Sequence, residues 1–317
     1  MSVWLLTDAD MDAHATPGHP ERPERRPAVA AGVRVAAGVD LVEPAVEEID
    51  EETLAATHDA TYLAALAAAE AAGGGWLDPD TYLVSGSIRA ARLAAGATAQ
   101  AAQAVADGDA EVAFAVVRPP GHHASSEHGT GFCLVNNVAV AVNALRRRGV
   151  GRIAIVDWDV HHGDGTQAIF NADPDLCYAS THQSPLYPGT GAASERGVGA
   201  AEGTKHNRPL APGSGDDAFV GAWRDELLPA IESFAPEALL VSAGYDAHAA
   251  DPLASLAVTT EGFATVAVLA GALSARLGLP GVALTLEGGY DLEALHDGAS
   301  ATILGIIEGR RPTAGSG

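Results

Sequence analysis

Apolar residues along the chain gather in short runs rich in β-branched side chains, spaced by longer stretches of helical period. The runs Val3–Thr7, Val112–Val117, Ile153–Val156, Leu176–Ala179, Leu239–Ser242 and Val282–Leu286 are each of strand length. Between them Ala60–Ala72, Ser87–Ala106, Asn136–Arg148, Ala218–Phe234 and Thr260–Arg276 read as helices, and Asp291–Glu308 as a closing one. Runs such as IAIV and LLVS are apolar on both faces, as parallel strands covered by helices on each side should be. Strand and helix alternate with no internal repeat and no polar linker. The pattern predicts one doubly wound α/β domain over residues 1–317, frayed from about residue 311. Ligands of such folds sit beyond the carboxyl ends of the strands, so chemistry is expected in the segments behind these runs.

Composition narrows the class. The 317 residues are 47% apolar and 19% charged, a globular balance. No stretch approaches a run of about 18 apolar residues, so no membrane span is read. The opening MSVWLLTDADMD has no basic segment before its apolar run, which argues against a secretory leader and for a cytoplasmic protein. Acidic residues outnumber basic ones 41 to 18, a formal charge of −23, and Lys205 is the only lysine. Nucleic-acid binding runs on Lys and Arg, so no nucleic-acid partner is expected; a negative field favours cationic ligands. Cys133 and Cys177 stand far apart, in neither a disulfide framework nor a structural zinc spacing.

The unusual residues do follow the strand runs. IAIV leads into Asp157-Trp158-Asp159-Val160-His161-His162-Gly163-Asp164, where alternate side chains of an extended backbone put Asp157, Asp159 and His161 on one face. Such a row of polar groups is costly to bury without a partner. LLVS leads into Ala243-Gly244-Tyr245-Asp246. Asp159, His161 and Asp246 together offer three N/O ligands and an open fourth position, the pattern of a catalytic zinc site. A lone Asp-x-His is more often a capped turn; the density of DWDVHHGDG argues against that reading. AFAVV leads into Arg118-Pro119-Pro120-Gly121-His122-His123, whose histidines fit metal ligands, surface residues or acid/base groups. Asp157 and Asp164 are left over, enough for two His–carboxylate pairs, each favouring the protonated ring. Four carboxylates around one divalent ion are in surplus, so an imidazolium or a monovalent cation is expected to balance them. VALTL leads into Glu287-Gly288-Gly289-Tyr290, where a tyrosine hydroxyl can meet an oxyanion, although Gly-Gly-Tyr is also an ordinary turn. Asp8–Asp12 lacks the Gly and Glu of a calcium loop, and Gly197–Gly203 follows no strand as a dinucleotide loop would.

Taken in order, several segments resemble the histone deacetylase superfamily, which includes bacterial acetylpolyamine amidohydrolases. They are GHPERPER (Gly18–Arg25), RPPGHHA (Arg118–Ala124), GFCLVNN (Gly131–Asn137), DWDVHHGDGTQ (Asp157–Gln167), YPGTG (Tyr187–Gly191), SAGYDAH (Ser242–His248), DPL (Asp251–Leu253) and LEGGYD (Leu286–Asp291). RPPGHHA and LEGGY are most similar to the class II and bacterial branch. The resemblance implies an arginase-like fold, an eight-stranded parallel sheet with helices on both faces, and a metal-dependent amide hydrolase. It implies Zn2+, or Fe2+ as the native metal, held by Asp159, His161 and Asp246. It pairs His122 with Asp157 and His123 with Asp164, His123 being the stronger candidate for general base and acid, and it makes Tyr290 the transition-state donor. Phe132 and Tyr187 match the channel walls, Gly131 its floor, and Asp80 more loosely a rim carboxylate that holds substrate backbone. A K+ or Na+ site matches Asp157, Asp159, His161 and Ser180.

The substrates implied are acetylated lysine peptides or proteins, with acetylpolyamines as the alternative. Leu253 stands where a polyamine-selective member carries Glu, which favours the former. The oligomeric state stays open, a homo-oligomer included. One segment departs from the family pattern: GTKHNRPL (Gly203–Leu210) puts Lys205 and His206 where a plain strand entry is expected. Two rivals compete with the deacetylase reading. An arginase-like manganese hydrolase would need further bridging carboxylates, and a degenerate acyl-lysine binding module would not need every catalytic position filled.

Overall fold

The structure, a computed structural model, describes residues 2–312. The frayed tail expected from the sequence falls mostly on residues 313–317, outside the described residues. Eight parallel strands form the central sheet: β1 (Val3–Leu6), β2 (Leu41–Val42), β5 (Val112–Ala115), β6 (Ile153–Asp157), β7 (Leu176–Gln183), β8 (Lys205–Leu210), β9 (Ala238–Ala243) and β10 (Val282–Leu286). Their spatial order is β2-β1-β5-β10-β9-β6-β7-β8. A separate ribbon pairs β3 (Gly75–Trp76) with β4 (Tyr82–Leu83) antiparallel. Every residue of β5, β6 and β10 is buried, which matches their two-sided apolar sequences. Helices α1 (Arg25–Ala37), α9 (Thr260–Arg276) and α10 (Leu292–Arg310) pack together in one layer, and α4 (Ser87–Ala106) packs on α5 (Asn137–Arg146) in another. Both layers rest on β1 and β5. Among the described residues no helix is long and apolar enough to cross a membrane.

The six strands read as apolar runs lie together in the sheet, and the two that were not are its edges. β2 is two residues long and partly exposed, and β8 (KHNRPL) alternates buried with accessible positions and carries Pro209, which an edge strand tolerates. An edge strand has one neighbour and no need of a continuous apolar run. β7 extends past the expected Ala179 to Gln183, because buried partners satisfy its polar end: Ser180 Oγ and His182 Nδ1 lie 2.9 Å apart, and Trp223 Nε1 donates to Thr181 Oγ1 at 3.1 Å. Ser180 therefore stands on a strand, paired directly with Asp157.

Helix α1 has no counterpart in the sequence reading. Pro27 sits in its first turn, where the missing N–H costs nothing, yet PERPERRP looks like a loop. The long helix read over Ala218–Phe234 is broken into α7 (Asp216–Ala222), a π turn at Trp223–Leu227 and α8 (Leu228–Phe234). Pro229, at the start of α8, cannot supply the N–H that an unbroken α-helix needs. Lys205 opens β8 as a buried ammonium donating to Leu176 O at 2.7 Å and Asp173 O at 3.2 Å, so the departure in GTKHNRPL leaves the strand entry intact.

Candidate active site

The loops behind β5, β6, β9 and β10 converge where the sheet order reverses. Asp159, His161 and Asp246 come together with one ligand atom from each within 4.8 Å of the others. His161 Nδ1 lies 3.1 Å from Asp159 Oδ1 and 3.2 Å from Asp246 Oδ2. Backbone amides hold the outer oxygens: Gly288 N–H donates to Asp159 Oδ2 at 2.7 Å and Val160 N–H to Asp246 Oδ1 at 2.9 Å. Gly288 passes so close that a Cβ there would collide with both carboxylates. Asp246 Oδ2 is buried and meets no donor in hydrogen-bonding geometry, its near neighbour being the His161 ring at 3.2 Å. Burial lowers the pKa of His161, but its hydrogen bond to Asp159 and the Asp246 carboxylate beside it outweigh this and raise it to about 10. A buried carboxylate oxygen without a donor, facing a second carboxylate and an imidazole, fits a divalent cation with N/O ligands.

The two histidines behind β5 lie beside this cluster, ring centroids 4.1 Å apart and planes tilted 49° to one another. His122 Nδ1 lies 3.1 Å from Asp157 Oδ2, which also accepts from Tyr178 Oη at 2.9 Å. His123 Nδ1 lies 2.7 Å from Asp164 Oδ1. Each ring has the carboxylate partner expected from the sequence, but the two environments act in opposite directions. Burial opposes charge on His122, but Asp159 and Asp157 outweigh it and hold its pKa well above 6.5. Burial and the His122 charge together pull His123 down to about 4, against Asp164. Asp164 is partly open to solvent and lends its partner less support. The two environments therefore push the pair apart, His122 toward the charged form and His123 toward the neutral one. Gly131, at φ 57°, lies against the His123 ring, leaving no room for a side chain.

Above these groups opens a cavity of about 220 Å3 lined by, among others, Asp80, Gly131, Phe132, Tyr187, Leu253 and Tyr290, so all the channel residues expected from the sequence meet at one pocket. Phe132 meets Tyr290 edge to face at 5.9 Å, and Tyr187 meets His123 at 5.1 Å. Burial and the Asp246 charge push the Tyr290 phenol well above 10, so its hydroxyl stays protonated. Ser180 stands apart from this pocket, one strand over from Asp157.

Three charged residues beneath the site had no role in the sequence reading. Arg118 forks onto Glu21 at 2.6 and 2.7 Å, Arg25 donates to Glu21 at 2.9 Å, and all three are fully buried. Arg25 also donates to the carbonyls of Glu287 and Gly289 and lies 5.0 Å from the Tyr290 ring centre. Glu21 lies ahead of α1 and Arg25 opens it, so their spacing in sequence carries no helix-face signal for the pairing. Burial raises the pKa of Glu21, but Arg118 and Arg25 outweigh it and hold it at about 2. Glu21→Gln should destabilise the protein by about 3–5 kcal/mol at pH 7, because two buried guanidinium groups lose their carboxylate. Urea unfolding checks this. The difference from wild type should be complete above the unfolded-state pKa of 4.5 and should vanish as pH falls toward about 2. A pH-independent difference would contradict it.

Comparison with known proteins points one way. The family model of the histone deacetylase domain matches residues 19–306. A probable deacetylase of Archaeoglobus fulgidus is 41% identical over 297 residues, 92% of this chain and 81% of its own. Among solved structures, the HDA15 HD domain superposes with a TM-score of 0.90 at 36% identity, over 96% of this chain and 88% of the other. Acetylpolyamine aminohydrolase from Burkholderia pseudomallei superposes with a TM-score of 0.88 at 32% identity, over 96% and 98%.

Proposed function

The chain belongs to the histone deacetylase family and is a hydrolase acting on amides, and from that premise we propose that it is a zinc-dependent deacetylase of N-acetyl-lysine side chains, the whole chain forming one catalytic domain. The observation that carries this reading is the convergence of Asp159, His161 and Asp246, with the buried Asp246 Oδ2 meeting no donor in hydrogen-bonding geometry, beside two histidines each tied to its own carboxylate. Asp159, His161 and Asp246 would hold zinc or ferrous iron, which would supply Lewis-acid polarisation of the acyl carbonyl and of water. The chain's own groups do the rest. His123, with Nδ1 tied to Asp164, takes the water proton on Nε2 and returns one to the leaving amine nitrogen, which otherwise departs poorly. His122 keeps its positive charge between Asp157 and Asp159 and offsets the carboxylate surplus. Tyr290 Oη donates to the carbonyl oxygen as negative charge develops there. Phe132 and Tyr187 flank the neutral alkyl stem. K+ or Na+ near Asp157, Asp159, His161 and Ser180 would neutralise the remaining charge.

Leu253 favours acetyl-lysine over acetylpolyamines: it is 38% exposed at the pocket and cannot pair with a second ammonium. The second reading, an acetylpolyamine amidohydrolase, is supported by Asp80 at the same rim and by the Burkholderia neighbour. Steady-state rates of the zinc-loaded enzyme on acetyl-lysine peptides and on acetylspermidine and acetylputrescine separate the two. Acetyl-lysine should have the higher kcat/KM, and Leu253→Glu should shift the ratio toward the polyamines. A polyamine kcat/KM more than about tenfold higher, a difference of 1.4 kcal/mol in transition-state binding, would replace the first reading with the second.

A further inference from the structure

Asp251 of the DPL segment is buried and does not itself line the pocket. Asp251 lies in the loop between β9 and α9, where its N–H closes a turn onto His248 O at 2.9 Å, and it is 8% exposed. Its Oδ2 accepts the N–H of Tyr290 at 2.7 Å, and its Oδ1 accepts the N–H of Leu253 at 3.0 Å. Pro252 has no N–H, so Leu253 offers the first amide beyond the turn. One buried carboxylate thus ties the loop behind β9, which carries Asp246 and Leu253, to the loop behind β10, which carries Tyr290.

Other contacts hold the Tyr290 segment: Gly288 N–H on Asp159 and the Arg25 guanidinium on Gly289 O. The Asp251 contact joins that segment to Leu253 across the pocket lining. A turn by itself would be capped as well by Asn or Ser, without the cost of burying a charge. Two converging N–H donors need two acceptor oxygens. An amide in the same place would accept from one and turn its NH2 on the other.

We propose that Asp251 is a positioning residue, which sets Tyr290 over the scissile carbonyl and holds Leu253 in the channel wall with the same carboxylate. The proposal rests on the reading of Tyr290 as the carbonyl donor. Steady-state kinetics of the zinc-loaded enzyme on an acetyl-lysine peptide test it, with metal content and melting temperature measured for each variant. Asp251→Asn should lower kcat about 10- to 100-fold, as displacement of a reacting group by an ångström does, and should raise KM while metal content stays at the wild-type level. In a Tyr290→Phe background the same exchange should lower kcat by less than about twofold, because the two residues act through one hydroxyl. Asp251→Glu keeps both acceptors on a longer arm and should fall between wild type and Asp251→Asn. It closes the same cycle if Asp251→Asn does not fold. An unchanged kcat for Asp251→Asn, or an equal loss in both backgrounds, overturns the proposal. An unchanged kcat for Tyr290→Phe alone overturns the assignment of Tyr290, and this proposal with it.

Discussion

Asp246→Ala should yield a folded protein that no longer retains a stoichiometric transition metal and has lost roughly a thousandfold or more in kcat/KM, about 4 kcal/mol of transition-state stabilisation. The folded state should survive because the metal-free cluster is self-repelling. Burial and the Asp159 charge push the Asp246 carboxyl above its ordinary value, so an ionised Asp246 costs stability at neutral pH. Alanine removes that cost and forfeits the hydrogen bond from Val160 N–H, a net contribution of about 1 kcal/mol, together with the His161 contact at 3.2 Å, while Asp159 still holds the His161 ring. Metal linkage runs the other way. Wild type should melt higher as zinc is added, since the ion binds the folded chain alone, and the variant should not. Metal analysis of purified protein and melting curves with and without zinc read both effects. Full metal content and activity in both Asp246→Ala and Asp159→Ala would remove the site.

What made this site legible in advance was its position. Carboxylates and imidazoles that follow apolar strand runs are few, and Asp159, His161 and Asp246 stand out because Val156 and Ser242 are the ends of such runs. Edge elements lacked that contrast: β2 and β8 bury one side at most, and neither carries a continuous apolar run. Polar residues hidden by one another were harder still. Glu21, Arg25 and Arg118 carry the side chains least expected inside a protein, and only their mutual pairing permits full burial. Ser180 and His182 likewise belong to a strand because they satisfy each other. The split between His122 and His123 had no sequence signal, since it arises from unequal exposure of Asp157 and Asp164 and from one imidazolium beside the other. Asp251 was visible as part of a motif, but its two amide partners lie on loops that only the folded chain brings together.

Tyr290→Phe should lower kcat by about 10²–10³ with metal content unchanged, the usual loss for one oxyanion donor. The substitution isolates the hydroxyl. The ring keeps its edge contact with Phe132 at 5.9 Å and its place 5.0 Å from the Arg25 guanidinium, and the backbone keeps its hydrogen bond to Asp251. No ligand to the metal is touched, so melting temperature and zinc stoichiometry should match wild type. Because burial and the Asp246 charge hold the phenol well above 10, the hydroxyl remains a donor throughout the working range, and its loss should scale the pH–rate profile down without moving either limb. A shifted limb would mean that Tyr290 titrates during turnover. Rates independent of solvent viscosity would establish that chemistry limits turnover, and an unchanged kcat under that condition would leave Tyr290 only the role of packing against Phe132.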